Sequence, residues 1–336
     1  MRVTTIFFSA ALAFLCLCGC GQKNTYVAIS GYAQGGVYSV KANLKGAKIT
    51  PEALKTGIDS LLNTIENSAS GFNKNSILSK YNSGENVALD DHFNRLLAAG
   101  KLYFDETGGA VDMGAGPLFD AWGFGFKKEM LPSDDQIREL MDNYGMKNFD
   151  NKDSKIHPVL NFNAFAQGYT CDVVAEYLHK FGIHDMLIDF GEIWCDGLNP
   201  NGKPWAIAID RPVDGNNSPG KDIDGVWVGD GKPHGVVTSG NYRKYYIVDG
   251  KKYAHIIDPR TGYPVQHNLL SATIIADDAM TADAYATYCM IIGPDEAKKF
   301  ISGRSDLEGY LIIADESSPS GMKEWTSAGF TLRTTE

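Results

Sequence analysis

Tyr245-Tyr246-Ile247-Val248-Asp249-Gly250-Lys251-Lys252-Tyr253 places an Asp-Gly pair between two strand-like arms. Such a pair is a hairpin signal, because the favoured two-residue turn needs positive φ at both central positions. Outward from this hairpin, further strand-like runs lie at 26–30, 37–42, 186–189, 205–210, 271–275 and 310–314. Helical spacing appears between them. Over 46–67, Leu54, Ile58, Leu61, Leu62 and Ile65 share one side, with Pro51 in the first turn. Residues 92–107 read as a second helix, ended by Gly108-Gly109. A third begins at Ser133, where Asp134 and Asp135 suit the positive end of the helix dipole. A fourth covers 167–181, stopped by Gly182, and a fifth covers 280–292, closed by Gly293-Pro294. Hairpin connections outnumber clear βαβ units. The expected class is therefore α+β, a mostly antiparallel sheet with packed helices in one compact domain.

The chain has 336 residues, 43% hydrophobic and 21% charged, which is the composition of an ordinary globular protein. Its formal charge of -10 and the lack of a long basic run argue against a nucleic-acid partner. The N-terminus differs from the rest. Arg2 precedes a nearly unbroken apolar run over 6–17, followed by Leu17-Cys18-Gly19-Cys20. These are the parts of a signal peptide, too short for a permanent membrane span. The small residue before Cys20 resembles a bacterial lipobox. We expect a signal peptide over 1–19, a lipidated tether over 20–26 attached through Cys20, with plain secretion and cleavage nearby as the alternative, and a folded domain over 27–336. That places the protein in the bacterial cell envelope, lipid-anchored on the extracytoplasmic side. Cys171, Cys195 and Cys289 are widely spaced among apolar neighbours and read as buried free thiols.

Four stretches could carry chemistry. His255-Ile256-Ile257-Asp258-Pro259-Arg260-Thr261-Gly262 is a well-made turn. Its His255 also stands at a strand end, where it could transfer a proton or contact a phosphate. In Thr281-Ala282-Asp283-Ala284-Tyr285-Ala286-Thr287, Asp283 and Thr287 share one helical face. A carboxylate and a hydroxyl suit Mg²⁺, and equally the aspartate could simply complement the helix dipole. Trp122-Gly123-Phe124-Gly125-Phe126 could form a platform for a planar ring or a hydrophobic plug. The segment from Asn161 to Tyr169 leads into a helix whose N–H groups could meet a phosphate. Neither a P-loop nor a G-x-G-x-x-G fingerprint is present.

Taken in order, these stretches resemble the ApbE family of flavin transferases. The resemblance runs from Tyr26 to Gly329. It includes Gly31 to Val40, Ser70-Gly71-Phe72, Phe104 to Gly109, Trp122 to Gly125, Gln167-Gly168-Tyr169 with Asp172, and Gly191-Glu192. It continues through Thr238 to Tyr242, and its most specific segments are H-x-x-D-P-x-T-G from His255 and T-A-D-A-x-A-T from Thr281. The resemblance implies a T-fold-like architecture. It implies Mg²⁺ bound by Asp283, Thr287 and backbone oxygens of Ala164 and Ala286. It implies FAD contacts at Gln34, Phe72, Ala121, Trp122, Gly123, Asn161, Gln167 and His255. Four positions depart from the common family pattern: Gln34, Asn161, Gln167 and Phe190, the last where Gly-Gly-Glu is usual.

The implied activity is Mg²⁺-dependent transfer of FMN from FAD to a Thr or Ser hydroxyl, with AMP released. His255 and Asp283 are the expected catalytic residues. The implied partners are membrane-associated electron-transport proteins that accept covalent FMN. An FAD pyrophosphatase using water, or a lipoprotein that binds FAD without turnover, would use the same residues.

Overall fold

The computed structural model of the protein describes residues 25–126, 131–149, 156–216 and 218–334. Cys20 and the leader lie outside these residues. The chain opens with a hairpin of β1 (Tyr26–Ala33) and β2 (Gly36–Asn43), paired from Tyr26↔Asn43 to Ala33↔Gly36. Helix α1 (Pro51–Ala69) follows. Its first turn forms at Pro51 because the Thr50 side chain accepts from Ala53 N and caps it. Leu54, Ile58, Leu62 and Ile65 form the buried stripe expected from their spacing.

Helices α2 (Ile77–Asn82), α3 (Asp91–Glu106), α4 (Gly116–Ala121) and α5 (Asp134–Asn143) come next. Ser133 caps α5 through a reciprocal capping box with Gln136. Helix α6 (Ala166–His179) leads to β3 (Met186–Asp189) and β4 (Ile193–Asp196). Strands β5 (Ala206–Asp210), β6 (Ile223–Val228) and β7 (His234–Gly240) follow. The Asp249-Gly250 turn then joins β8 (Tyr245–Val248) to β9 (Lys251–Ala254), with φ of 51° and 77° at its two central residues. The short pair β10 (Ile257–Asp258) and β11 (Tyr263–Pro264) brackets the next turn. The chain finishes with β12 (Leu269–Ala276), α7 (Ala279–Ile292), α8 (Pro294–Ser302), β13 (Glu308–Ala314), β14 (Met322–Thr326) and β15 (Leu332–Thr334).

Eight strands form one sheet in the order β1-β2-β3-β4-β7-β12-β13-β14, and each neighbouring pair is antiparallel. Strands β15-β6-β5 make a smaller antiparallel sheet. The central strands are buried on both faces. Val237, Ile274 and Leu311 pack with the helices, whereas Val236, Ile275 and Ile312 pack with Trp205, Ile207 and Trp227 of the small sheet side. Alternate side chains thus enter two different cores, as the two-residue period of a strand requires. The α+β, mostly antiparallel architecture agrees with the sequence expectation. Among the described residues, no helix is long and apolar enough to cross a membrane.

Helix α7 lies against β7 and β12. It is apolar nearly all round, and Ala282, Ala284 and Ala286 are fully buried. Small side chains let the helix approach the sheet closely. A Cβ on Gly235 of β7 would come within 2.4 Å of the Ala279 backbone. This packing fixes where α7 begins, and with it the position of Asp283.

Candidate active site

Two helix starts meet here. Gly168, in the first turn of α6, donates its N–H to Asp283 Oδ2 of α7 at 3.1 Å. In return, the Asp172 carboxylate of α6 accepts from Ala279 N at 2.8 Å and Met280 N at 2.9 Å, in the first turn of α7. Each helix therefore satisfies orphan N–H groups of the other. Gly168 permits the approach, since a Cβ there would lie 2.2 Å from Ala279 O.

The site is acidic and buried. Asp283 is 5% exposed and Asp172 8%. Burial first, then the Glu192 charge, pushes the Asp283 carboxyl well above its usual range. Burial and the charge of Asp278 push Asp172 up to about 8. Glu192 is raised by burial as well, against the pull of Lys244. Its Oε2 is a buried acceptor with no hydrogen-bond partner among the described residues. Crowded buried carboxylates of this kind are stabilised by a cation. Oxygen donors are the ligands a hard cation takes, and Thr287 adds one a helical turn beyond Asp283.

A second group surrounds this centre. Gln34, at the tip of the β1–β2 hairpin with φ of 51°, donates from Nε2 to Thr170 Oγ1 of α6 at 2.7 Å. Its Oε1 is buried without a hydrogen-bond partner among the described residues. Gln167 donates to Phe190 O at 3.2 Å, and Phe190 stacks on Tyr38 with centroids 5.2 Å apart. Three of the four positions that depart from the family pattern, Gln34, Gln167 and Phe190, thus adjoin the start of α6. The fourth, Asn161, is buried and accepts from Asn163 N at 2.9 Å. Ala164 lies just before α6, and Ala286 is fully buried within α7.

His255 follows β9. Its Nδ1 and its backbone N both lie 3.1 Å from Lys244 O. A carbonyl only accepts, so Nδ1 carries the proton and Nε2 keeps its lone pair. Burial, and then the Lys244 charge, push this imidazole down to about 4. Its ring meets Phe124 edge-on, with centroids 6.3 Å apart. The following turn is held by Asp258, which accepts from Arg260 N, Nε and Nη2, each at 2.9 Å.

Trp122 is only 4% exposed. Its Nε1 donates to Gly262 O at 2.8 Å, and its ring stacks on Tyr253. In this structure the indole is a plug that joins the Trp122-Gly123-Phe124 segment to the His255 turn. Ala121 is buried at the end of α4, directly before Trp122. Phe72 is 69% exposed and meets Phe126 edge-on.

Sequence reasoning did not single out Lys244 or give Glu192 a role. Glu192 appeared only within a Gly-Glu pair, and Lys244 is one exposed lysine among many. Neither has a spacing signal, because their neighbours in the site come from distant elements.

Comparison with known proteins agrees with this architecture. The model of the ApbE family matches residues 25–311. The chain belongs to the ApbE family. It is 32% identical over 332 residues to the FAD:protein FMN transferase of Vibrio cholerae, covering 96% of each chain. It is 31% identical over 349 residues to that of Escherichia coli K12, covering 96% of this chain and 94% of the other. Among solved structures, flavin transferase ApbE from Vibrio cholerae superimposes with a TM-score of 0.77 at 29% identity, over 90% of this chain and 97% of that one. The ApbE protein of Thermotoga maritima gives 0.76 at 26% identity, with the same coverage. As an ApbE-family member, the protein is an enzyme, and the family resemblance drawn from sequence holds.

Proposed function

We propose that this protein transfers FMN from FAD to a Thr or Ser hydroxyl of an acceptor protein, with Mg²⁺ bound, and releases AMP. Family membership supports flavin transfer, because relatives matched over nearly their whole length are FAD:protein FMN transferases. The observation that carries the rest is the buried Asp283 carboxylate, held at the start of α6 and crowded by Glu192 and Asp172. Asp283, Thr287 and the carbonyl oxygens of Ala164 and Ala286 would hold Mg²⁺. The cation, when bound, offsets negative charge on the pyrophosphate.

The chain's own residues account for the other requirements. The positive end of the α6 dipole favours a phosphate placed nearby. Lys244 adds positive charge beside His255. The acceptor oxygen attacks the FMN-side phosphorus, and the bond from that phosphorus to the AMP oxygen breaks. AMP leaves with the bonding electrons. The hydroxyl proton passes to His255 Nε2, which is unprotonated near pH 7. Gln34, Phe72, Ala121, Gly123, Asn161 and Gln167 would contact FAD, and Trp122, buried against Gly262 and Tyr253, would hold the Gly123 segment in place. The acceptors are membrane-associated electron-transport proteins, and a lipid on Cys20 keeps the enzyme at the same envelope surface.

Incubation with FAD, Mg²⁺ and a Thr-containing acceptor tests the reading. Flavin bound covalently to the acceptor supports it. Free FMN plus AMP would make the protein a pyrophosphatase, and unchanged FAD would make it a carrier.

A further inference from the structure

The opposite end of α6 holds a second cluster. His179, the last residue of α6, brings Nε2 to 3.0 Å from Asp196 Oδ2. His184, in the loop before β3, brings Nδ1 to 3.6 Å from the same oxygen. All three ligand-type atoms lie within 4.8 Å of one another. The two imidazoles stack, with centroids 4.8 Å apart and planes at 28°. The Asp196 side chain is 8% exposed, and those of His179 and His184 are 30% and 68% exposed.

The bland reading is a histidine at a helix C-terminus bonded to a carboxylate. That accounts for His179. It does not account for His184, whose 3.6 Å separation is too long for a hydrogen bond. Nitrogen and oxygen ligands about 2.0–2.1 Å from a tetrahedral zinc ion lie about 3.3 Å apart. The separations of 3.0 and 3.6 Å bracket that spacing. The carboxylate is also well anchored. Asp196 pairs with Met186 across β3 and β4, and its carbonyl accepts from Trp205 Nε1 at 2.9 Å. The nearby Asp185 is engaged elsewhere, accepting from Leu198 N and Asn43 Nδ2.

We propose that His179, His184 and Asp196 bind a divalent cation of the zinc class, with a position left open to water at the surface. Two imidazoles and one carboxylate favour zinc-like ions over Mg²⁺, which prefers all-oxygen surroundings. The site lies eleven residues along α6 from Gly168, about 16 Å at the helical rise. It is therefore separate from the Asp283 centre. A bound ion would fasten the C-terminal end of α6 to the β3–β4 hairpin.

The test is calorimetric titration of the whole protein with Zn²⁺ in saturating Mg²⁺. One site per chain is expected, and Zn²⁺ should raise the melting temperature. His184→Ala removes an exposed ligand and should weaken Zn²⁺ binding more than ~100-fold, beyond the usual effect of losing an outer-shell partner. Its circular dichroism should be unchanged. His179→Gln should behave likewise, and Asp283→Asn should retain the site. The proposal is overturned if Zn²⁺ does not bind, if His184→Ala binds it as wild type does, or if binding disappears in Asp283→Asn.

Discussion

Gly168 N donates to Asp283 Oδ2 at 3.1 Å, so the residue expected to hold the metal also caps the helix beside it. The bond is one half of an exchange. Asp172, four residues after Gly168, caps the helix that carries Asp283, itself four residues after Ala279. Any change at either aspartate therefore acts on packing as well as on charge.

Asp283→Asn separates the two effects. The carboxamide oxygen still accepts from Gly168, and a carboxyl that is costly to ionise in place gives way to a neutral group. Without metal, this variant should melt above the wild type. It should lose the stabilisation by Mg²⁺ and nearly all transfer. Thr287→Val keeps the shape, so it should lose less and recover in excess Mg²⁺. Melting curves and activity across a Mg²⁺ series check both. Unchanged Mg²⁺ dependence in Asp283→Asn would reduce Asp283 to a cap.

Asp172 gives the metal-free protein a pH-dependent stability. Its folded pKa of about 8 lies above the unfolded value of about 3.9. Between these values the folded state binds more protons, so stability falls as pH rises. The contribution is complete below about pH 4 and is lost through pH 8. In chelator, denaturant midpoints should fall across this window, and less steeply in Asp172→Asn. Parallel profiles for the two proteins would contradict the assignment.

His255 has the opposite sign. Its pKa falls from about 6.5 unfolded to about 4 folded, so its contribution is present above pH 6.5 and is lost as pH falls towards 4. As a general base, its replacement by Ala should lower transfer at least ~100-fold. A modest loss accompanied by weaker FAD binding would make it a phosphate contact. Single-turnover rates and FAD affinity distinguish these outcomes.

Trp122 should show itself first in stability. Trp122→Ala empties a buried site and should cost about 3–5 kcal/mol. Trp122→Phe retains much of the volume but leaves Gly262 O without its donor, costing about 1–3 kcal/mol. Urea denaturation measures both. A cost below 0.5 kcal/mol for either variant, on the order of an ordinary surface change, would mean that the indole is not a plug.

Cys20→Ser should release the protein from membranes into the soluble fraction, as fractionation with immunoblotting would reveal. Retention on the membrane would mean that Cys20 carries no lipid anchor.

The local signals were legible in the sequence where one segment supplies its own pattern. The α1 stripe, the Ser133 cap and the Asp249-Gly250 turn depend on neighbours within a few residues, and each forms where the pattern places it. Strand β7 was not legible. His234-Gly235-Val236-Val237-Thr238-Ser239-Gly240 has few bulky residues, and Gly235 is small because α7 packs against it. A close tertiary contact thus erased the local signal. Helices α2 and α4 were missed because six residues are too few to establish a period.

By itself, the sequence determined the α+β class, the family and the placement of Asp283 and Thr287 four apart on one helix, since motif order and helical spacing are properties of the chain alone. Tertiary structure decided what surrounds them. It set Glu192 and Asp172 against Asp283, turned Trp122 inward onto Gly262, fixed the His255 tautomer through Lys244 O, and gathered His179, His184 and Asp196 at the far end of α6. The reason is physical. Burial, charge proximity and hydrogen-bond partners arise between segments far apart in sequence, and no local pattern records them.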